Sequence, residues 1–156
     1  DDGVGRDDAK ARDYMLKAAE GGFPMSAYYV GRTYYYGMGV EADAEKAEYW
    51  LGRAAQMGVP QGQFLYADML LRRGQPELVD KALKYAESAG YGGEGMGFIL
   101  LVDHYLELEQ WDRAHGYATL ALQLPDEHVQ NLARKAFELT EPHIRRPPTA
   151  MDAGLG

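Results

Sequence analysis

Residues 17–58 decide the fold of this chain, and they read KAAEGGFPMSAYYVGRTYYYGMGVEADAEKAEYWLGRAAQMG. The same short sequence pattern occurs at both ends of this stretch. It consists of a basic residue and two alanines at 17–19, followed by glycine at 22 and proline at 24. The pattern repeats at 53–55, 58 and 60. The offset of about 36 residues lies in the range that is typical of helical repeat arrays. The sequence therefore predicts stacked helical hairpins, with the remaining segments as further copies of this unit.

The composition fits one folded domain and excludes several functional classes. The chain has 156 residues, 46% of them hydrophobic, and a net charge of −8. A negative surface disfavours nucleic acid, whose phosphates need a basic partner. No apolar run approaches the roughly 18–20 residues of a membrane span. The lack of cysteine excludes disulfides, thiol catalysis and cysteine-bound zinc. We therefore expect no nucleic-acid partner and no membrane span.

Caps and breakers divide the first part of the chain into helices. Asp7 is the expected N-cap of a first helix, which the glycines at 21 and 22 bring to an end. Pro24 suits the first turn of a second helix, and Gly37 is its expected stop. Asp43 then caps a third helix that continues to about residue 57.

The predicted organisation is one repeat domain over residues 1–140 with a flexible C-terminal tail at 141–156. The domain is expected to contain a half repeat at 1–22, repeats at about 23–58, 59–93 and 94–124, and a capping helix at 125–140. The later repeats keep the positions of the small and aromatic residues. They lose the G-x-G-V loop of residues 37–40.

The second unit resembles the Sel-one-like repeat, a relative of the tetratricopeptide repeat. In that family a small residue, an aromatic, a Leu-Gly pair, a Tyr, a G-x-G-V loop, an Asp, a Lys-Ala pair, a Trp and a double Ala follow in order. The corresponding residues here are Ser26, Tyr28, Val30-Gly31, Tyr34, Gly37-Met38-Gly39-Val40, Asp43, Lys46-Ala47, Trp50 and Ala54-Ala55. The resemblance covers residues 1–124 and is closer up to residue 60 than beyond it.

The resemblance implies an all-α, right-handed α-solenoid of about 3.5 hairpin repeats. A single hairpin cannot bury its own apolar face, so neighbouring hairpins must stack into a continuous core. Small residues are expected where helices approach closely, and large aromatic residues are expected in the spaces between them. The small residues are Gly31, Ala47, Ala54, Ala67 and Gly97, and the aromatic ones are Tyr34, Trp50, Tyr85, Tyr105 and Tyr117.

No pattern in the sequence predicts catalysis, a metal site or a bound cofactor. The histidines at 104, 115, 128 and 143 include no i, i+4 pair with a third ligand nearby, which a helical metal site needs. The serines at 26 and 88 occupy repeat positions, and the chain has no nucleophile elbow. The G-x-G-V loop follows a helix and lacks the third glycine of a dinucleotide fingerprint, so we interpret it as a turn.

The predicted concave surface of the solenoid is the candidate binding site. On the helix that starts at Pro24, one face carries residues spaced at i, i+4, i+7 and i+11. A shift by about one repeat gives the same face of the next two units. The predicted partner-contacting residues are Met25, Tyr29, Arg32, Tyr36, Leu65, Asp68, Arg72, Leu100, Asp103 and Glu107. Aromatic residues, methionine and arginine favour interface cores. The alternative is that the tyrosines only pack between repeats.

The resemblance implies a protein that binds another protein or a peptide segment. The predicted role is a non-enzymatic scaffold or adaptor in a bacterial envelope, secretion or signalling complex. One alternative is an immunity protein that neutralises a secreted toxin by tight one-to-one binding, and a more remote one is an enzyme or ligand-binding protein. The resemblance also favours a periplasmic or otherwise exported location over a cytoplasmic one.

The first helix has no hairpin partner in front of it. Its apolar stripe is therefore expected to be open on one side; the stripe consists of Ala11, Tyr14, Met15, Ala18 and Ala19. Two alternatives follow. Upstream residues complete the first repeat, or this end of the array contacts a partner or a second copy of the chain.

Overall fold

The structure, a computed structural model, describes residues 3–144. These residues form eight α-helices and one short 3-10 helix, so the predicted all-α class is confirmed. The helices are α1 (Gly3–Glu20), α2 (Pro24–Tyr36), α3 (Ala44–Gln56), α4 (Pro60–Arg72), α5 (Pro76–Tyr91), α6 (Met96–Glu107), α7 (Trp111–Leu122) and α8 (Glu127–Thr140). Within this part of the chain, no helix is both long and apolar enough to cross a lipid bilayer.

The α2–α3 hairpin follows the predicted caps and stops. Pro24 occupies the first turn of α2, where a missing N–H costs nothing. Gly37 ends the helix in the left-handed conformation at φ 68°, and its N–H donates to the carbonyl of Thr33. The Asp43 carboxylate accepts from the N–H of Lys46 at 3.1 Å, which satisfies one of the free donors at the start of α3. The boundaries of this unit were therefore readable from local signals.

The first helix begins at Gly3, so its predicted start at an Asp7 N-cap is wrong. In the next unit, Gly39 has a positive φ and the N–H of Asp43 donates to the carbonyl of Tyr34 at 3.0 Å. These contacts hold the chain in a turn against the preceding helix α2. No described helix precedes Gly3 to hold an equivalent turn, and the same sequence pattern is helical there.

The helices stack in sequence into an α-solenoid, and each packs on the next along the chain. The even-numbered helices α2, α4, α6 and α8 also contact one another in succession. The odd-numbered helices α3, α5 and α7 make no comparable contacts among themselves in the described chain. Because the even-numbered helices lie closer together, the array curves toward them. They form its inner, concave layer.

Close approach between neighbouring helices depends on small residues, as predicted. A Cβ atom on Gly31 of α2 would lie 2.7 Å from Cγ of Leu51 on α3. Gly97 of α6 likewise lies directly against the backbone of α5. All five residues predicted to permit close packing are buried, and these are Gly31, Ala47, Ala54, Ala67 and Gly97. The helix-weakening glycines are therefore explained by packing.

Aromatic side chains fill the spaces between repeats. Trp50 and Tyr105 are buried, and Tyr34, Tyr85 and Tyr117 are half-buried against the core. The rings of Tyr105 and Tyr117 stack with centroids 5.9 Å apart. The buried apolar residues form three clusters, and the largest of them extends from α3 to α8 across successive hairpins, as a repeat array requires.

The C-terminal end is more ordered than the predicted tail at 141–156. Glu141–His143 form a 3-10 helix, and the ring of His143 stacks on Trp111 at 4.0 Å between centroids. The indole of Trp111 therefore packs against residues 141–143, which we expected to be flexible. Just before this segment, at the last residue of α8, the hydroxyl of Thr140 lies 2.9 Å from Nδ1 of His115 on α7. The rest of the predicted tail, residues 145–156, lies outside the described residues.

Candidate functional site

The stripe on α2 presents aromatic and apolar surface on the inner layer. Met25, Tyr29 and Tyr36 are exposed, and the exposed fraction of Tyr36 is 59%. Arg32 is half-buried between them. Its guanidinium carbon lies 5.2 Å from the ring centroid of Tyr29 and 5.7 Å from that of Tyr28, within the range of cation–π interactions. One positive charge is therefore embedded among aromatic rings.

Arg32 also carries an unsatisfied hydrogen-bond donor. Its Nε atom is buried and has no hydrogen-bond partner among the described residues. A buried donor without a partner is costly, because it has lost its water without gaining another acceptor. The aromatic rings that cover this atom supply no conventional acceptor. A partner that reached this position with a carbonyl or carboxylate oxygen would remove that cost.

Leu65 of α4 is a correction to the predicted surface. Its exposed fraction is 4%, and it belongs to the apolar core, so it offers no area to a partner. The equivalent residue one repeat earlier, Tyr29, is exposed. The difference arises because α4 has an inner-layer helix on each side, α2 and α6, whereas α2 has only one within the described chain. Position in the stack therefore decides whether this stripe position is available.

Asp68 and Arg72 form a polar brace with a residue that sequence reasoning did not place in the site. The hydroxyl of Tyr35 on α2 donates to Oδ2 of Asp68 on α4 at 2.6 Å. Nε of Arg72 donates to the same oxygen at 2.9 Å. The i, i+4 spacing of Asp68 and Arg72 could have indicated their ion pair. No local signal connects Asp68 to a tyrosine on another helix.

The brace changes the proton affinity of two of its members. Burial raises the pKa of Tyr35 to about 12, and the hydrogen bond to Asp68 adds to the effect. The hydrogen bond to Asp68 also raises the pKa of Arg72. Both shifts favour the protonated donor beside the carboxylate. The neutral phenol of Tyr35 therefore joins α2 to α4, while the charged guanidinium of Arg72 holds the Asp68 carboxylate in place within α4.

Alkaline pH should weaken this brace. A tyrosine in the unfolded chain ionises near pH 10, whereas Tyr35 in the folded protein keeps its proton to about pH 12. The stabilisation from this difference is fully present below pH about 10 and is lost as pH rises to about 12. We expect Tyr35→Phe to reduce the fall in unfolding free energy over this interval, measured by urea denaturation at a series of pH values. The control Tyr36→Phe leaves the bond from Tyr35 to Asp68 in place and should keep the wild-type slope. Parallel curves for wild type and Tyr35→Phe would contradict the assignment.

The stripe on α6 makes the other end of the inner layer acidic. Leu100 is half-buried and packs against the core, whereas Asp103 and Glu107 are exposed one helical turn apart. Partial desolvation raises the pKa of Asp103, and the neighbouring carboxylate of Glu107 raises it further. Like charges at i, i+4 repel, so this pair destabilises the free helix. A cation from a partner would relieve that repulsion.

Three of the four histidines pack against aromatic rings, and the fourth, His128, is exposed. His104 lies edge-to-face against Tyr105, and His115 packs against Phe137 at 4.4 Å between ring centroids. Among residues 3–144, no group of three or more histidine, aspartate or glutamate side chains is arranged to hold a metal ion.

A cleft of about 140 Å³ lies between α1 and α2. Its walls are mainly apolar, with Arg12 and Asp13 at one side. Ligand pockets are commonly about 300–1,000 Å³, so the cleft suits a single side chain better than a cofactor or substrate. The inner-layer surface is the better candidate site.

Comparison with known proteins agrees with the stacked hairpins. The family model described as the Sel1 repeat matches residues 1–23, 24–59 and 60–94, which together exceed half of the chain. No curated protein matches the chain. Sel1 repeats are TPR-like helical repeats that typically mediate protein–protein interactions and are generally non-catalytic. On the match over residues 1–94 and the helical stacking that continues through α8, this chain belongs to the Sel1 repeat family.

Proposed function

We propose that this chain is a non-enzymatic binding module that takes a partner protein or peptide segment onto the part of the concave layer that α2, α4 and α6 form. The observation that carries the proposal is the exposed surface of Met25, Tyr29 and Tyr36 around Arg32. Tyrosine and arginine are the residues most often found at the energetic centres of interfaces. Isolated exposed apolar residues are ordinary, but this group shares one face of one helix.

The inner layer is suited to binding without a large ordering cost. The Tyr35 hydroxyl on α2 donates to Asp68 on α4, and Arg72 orients that carboxylate from within α4, so the two helices are already joined before a partner arrives. A surface that is already ordered loses less conformational entropy on association than a flexible one. The same bonds leave Arg72 largely solvent-exposed, with further guanidinium donors free for a partner.

The charge of the layer supports a partner with a basic patch. Asp103 and Glu107 are exposed at the α6 end, and the whole chain carries a net charge of −8. Opposite charges on two surfaces speed their encounter and disfavour wrong partners. We infer that the partner places basic groups near α6 and apolar groups near α2. In cellular terms we propose a scaffold or adaptor in a bacterial envelope, secretion or signalling complex.

The test is a pull-down from an extract of the source cell, with wild type and an Arg32→Glu/Tyr36→Ala variant side by side. The captured partner is then purified and its affinity measured by calorimetry. We expect the variant to lose at least about tenfold in affinity, because it removes exposed aromatic area and reverses the embedded charge. The same measurement at increasing salt should show weaker binding, since surface charges are screened.

The control uses a matching pair on the outer face. Arg53 of α3 lies over the ring of Tyr49 and donates to its hydroxyl at 3.0 Å. The variant Arg53→Glu/Tyr49→Ala therefore makes the same chemical changes away from the concave layer and should bind normally. Equal affinities for all three proteins would refute the concave site. A one-to-one complex with a secreted toxin would assign the immunity role instead of the adaptor role.

A further inference from the structure

A groove runs along the outer side of the array between α3 and α5. Both helices pack on α4 and make no extensive contact with each other within the described chain, so α4 forms the floor of the groove. A depression of about 440 Å³ lies between six residues of α3 and Tyr66 of α4. A second one, of about 310 Å³, lies between Gln63 of α4 and four residues of α5. We call this surface the outer groove.

The two depressions adjoin over the ring of Tyr66. The ammonium nitrogen of Lys81 lies 5.3 Å from the ring centroid, and the ring of Tyr85 meets it edge-to-face at 5.4 Å between centroids. Helices of the stack lie on both sides of this region, with α1 and α2 before it and α6 to α8 after it. The open surface of the groove therefore does not depend on either end of the chain.

Hydrogen-bond donors and cations line the outer groove. Nη1 of Arg53 donates to the hydroxyl of Tyr49 at 3.0 Å, and its guanidinium carbon lies 5.7 Å from the ring centroid of Trp50. These contacts hold the guanidinium against α3 and leave most of its five N–H groups free. Lys81 and Lys84 bring two ammonium groups from α5. None of these three cations is paired with a carboxylate among residues 3–144.

The acidic residues of the outer groove lie at one end of it. Glu45 and Glu48 belong to the first two turns of α3. Glu48 forms an ion pair with Arg73, which follows α4. With Arg73 included, four cations and two carboxylates line the groove. A chain with a net charge of −8 therefore presents a locally basic surface here.

The next pair of outer helices contains a carboxylate that the outer groove lacks. The hydroxyl of Tyr117 on α7 donates to Oε2 of Glu87 on α5 at 2.8 Å. The same position in three repeats is marked by the buried alanines Ala47, Ala82 and Ala114. Counted from these alanines, Tyr85 corresponds to Tyr117, and Gly52 of α3 corresponds to Glu87. Gly52 has no side chain, and the Tyr85 hydroxyl has no acceptor among the described residues.

We propose that the outer groove binds an acidic peptide segment of a partner protein, with one of its carboxylates beside Tyr85 and Lys81. This carboxylate accepts from the Tyr85 hydroxyl and faces the ammonium group, as Glu87 accepts from Tyr117 in the next pair of helices. A charge-assisted hydrogen bond of this kind is stronger than one between neutral groups. The segment is distinct from the proposed partner of the concave layer, because that layer is acidic at α6 and complements basic groups.

The length of the groove sets the length of the segment. The helix α3 has 13 residues and is about 20 Å long. An extended chain of six residues spans about 20 Å, so one segment can pass Arg53, Lys81 and Lys84 together. Linked carboxylates then bind with a higher effective concentration than separate amino acids. The interaction should also weaken with salt, since the cations are on the surface.

The experiment is an NMR titration of the isotope-labelled full chain with a hexaglutamate peptide, at an ionic strength of about 0.1 M. The backbone amide signals of Gly52 and of residues 81–88 should shift most. Lys81→Glu/Lys84→Glu should raise the dissociation constant at least about tenfold, because like charges then face the peptide. Tyr85→Phe removes only the hydroxyl and should raise the dissociation constant about fivefold.

Arg134→Glu/Lys135→Glu is the matched control on α8, where both side chains are exposed. It changes the net charge by the same amount, so a general repulsion of the peptide would affect both double variants equally. We expect this control to bind hexaglutamate with nearly wild-type affinity. Tyr36→Ala alters the concave layer and should leave the dissociation constant unchanged, so the test is independent of the concave site. Circular dichroism melts confirm that each variant is folded.

Three results would overturn the proposal. The first is a wild-type chain whose signals do not shift at peptide concentrations on the order of millimolar. The second is an equal loss of affinity in the two double variants, which would reduce the effect to net charge. The third is free glutamate that produces the same shifts at the same total carboxylate concentration, which would assign the groove to a small anion. Weaker binding in the groove variants alone, together with a requirement for linked carboxylates, supports the proposal.

Discussion

Replacing Gly97 with alanine should lower the free energy of unfolding by about 3 kcal/mol, a large effect for one methyl group. The added Cβ atom would run into the carbonyl oxygen of Ala86 and would lie 2.8 Å from the backbone nitrogen of Gly90. Both atoms belong to the backbone of α5, so neither can move by a change of rotamer. The helices α5 and α6 would have to separate, and the buried contacts between them would loosen.

Gly116 supplies the matched control within the same protein. It also lies inside a helix, α7, but a Cβ atom there would have no heavy atom within 4 Å. Alanine is favoured over glycine in a helix by up to about 1 kcal/mol, so Gly116→Ala should stabilise the protein. Urea denaturation should move the two midpoints in opposite directions with an unchanged m-value. A neutral result at Gly97 would show that α5 and α6 pack less closely than the structure has them.

Truncating Leu51 to alanine should cost about 3–4 kcal/mol of unfolding free energy. Leu51 is fully buried in α3 and belongs to the apolar core. Its side chain lies directly over Gly31 of α2, which has no side chain of its own to fill the space that the leucine leaves. The loss therefore combines the transfer of the leucine side chain with the cost of a cavity. Thermal and urea unfolding of the purified variant measure the effect.

A double-mutant cycle then tests the contact between Leu51 and Gly31. In wild type, a Cβ atom on Gly31 would lie 2.7 Å from Cγ, 2.8 Å from Cδ2 and 2.9 Å from the backbone nitrogen of Leu51. The Leu51→Ala variant removes the first two of these obstacles. Gly31→Ala should therefore cost less in that background than in wild type, with a coupling of about 1 kcal/mol or more. Gly97→Ala shares no contact with Leu51 and should be additive with Leu51→Ala. Additive behaviour at Gly31 would contradict the close packing of α2 on α3.

These packing effects bear on the proposed function because the concave layer is built on them. Gly31 lies on the buried face of α2 and brings that helix against α3, while Tyr35 and Asp68 set its position relative to α4. Variants that alter packing should therefore change partner affinity through the shape of the surface. Variants such as Tyr36→Ala should change affinity with little effect on stability, because the side chain is mostly in solvent. Measuring both quantities separates the two causes.

Local signals in the sequence predicted much of the fold. Pro24, Gly37 and Asp43 act within three or four residues of themselves, so the ends of α2 and the start of α3 could be read directly. The start of α1 could not, because the turn at Gly39 is held by contacts with α2, and no described helix precedes Gly3 to hold a matching turn there. The order of residues 141–144 was also missed, since it depends on the ring of Trp111 thirty-two positions away from His143.

In the candidate site, too, local patterns predicted some features, whereas others depend on contacts between distant residues. The spacing of Met25, Tyr29 and Tyr36 predicted one face of one helix, and the structure exposes all three. The matching position Leu65 was predicted as surface and is core, because α4 is flanked on the inner layer by two helices where α2 is flanked by one. The hydrogen bond from Tyr35 to Asp68 joins two repeats and had no counterpart in the local pattern.

The sequence by itself determined the helical hairpins, their period, their caps and the small residues at which they meet. All of these depend on interactions between residues a few positions apart or on a pattern that repeats along the chain. Only the tertiary structure decided which stripe residues reach solvent and which tyrosine braces α2 to α4. Those outcomes depend on how many helices surround each position, and that number differs between the middle and the ends of a stack.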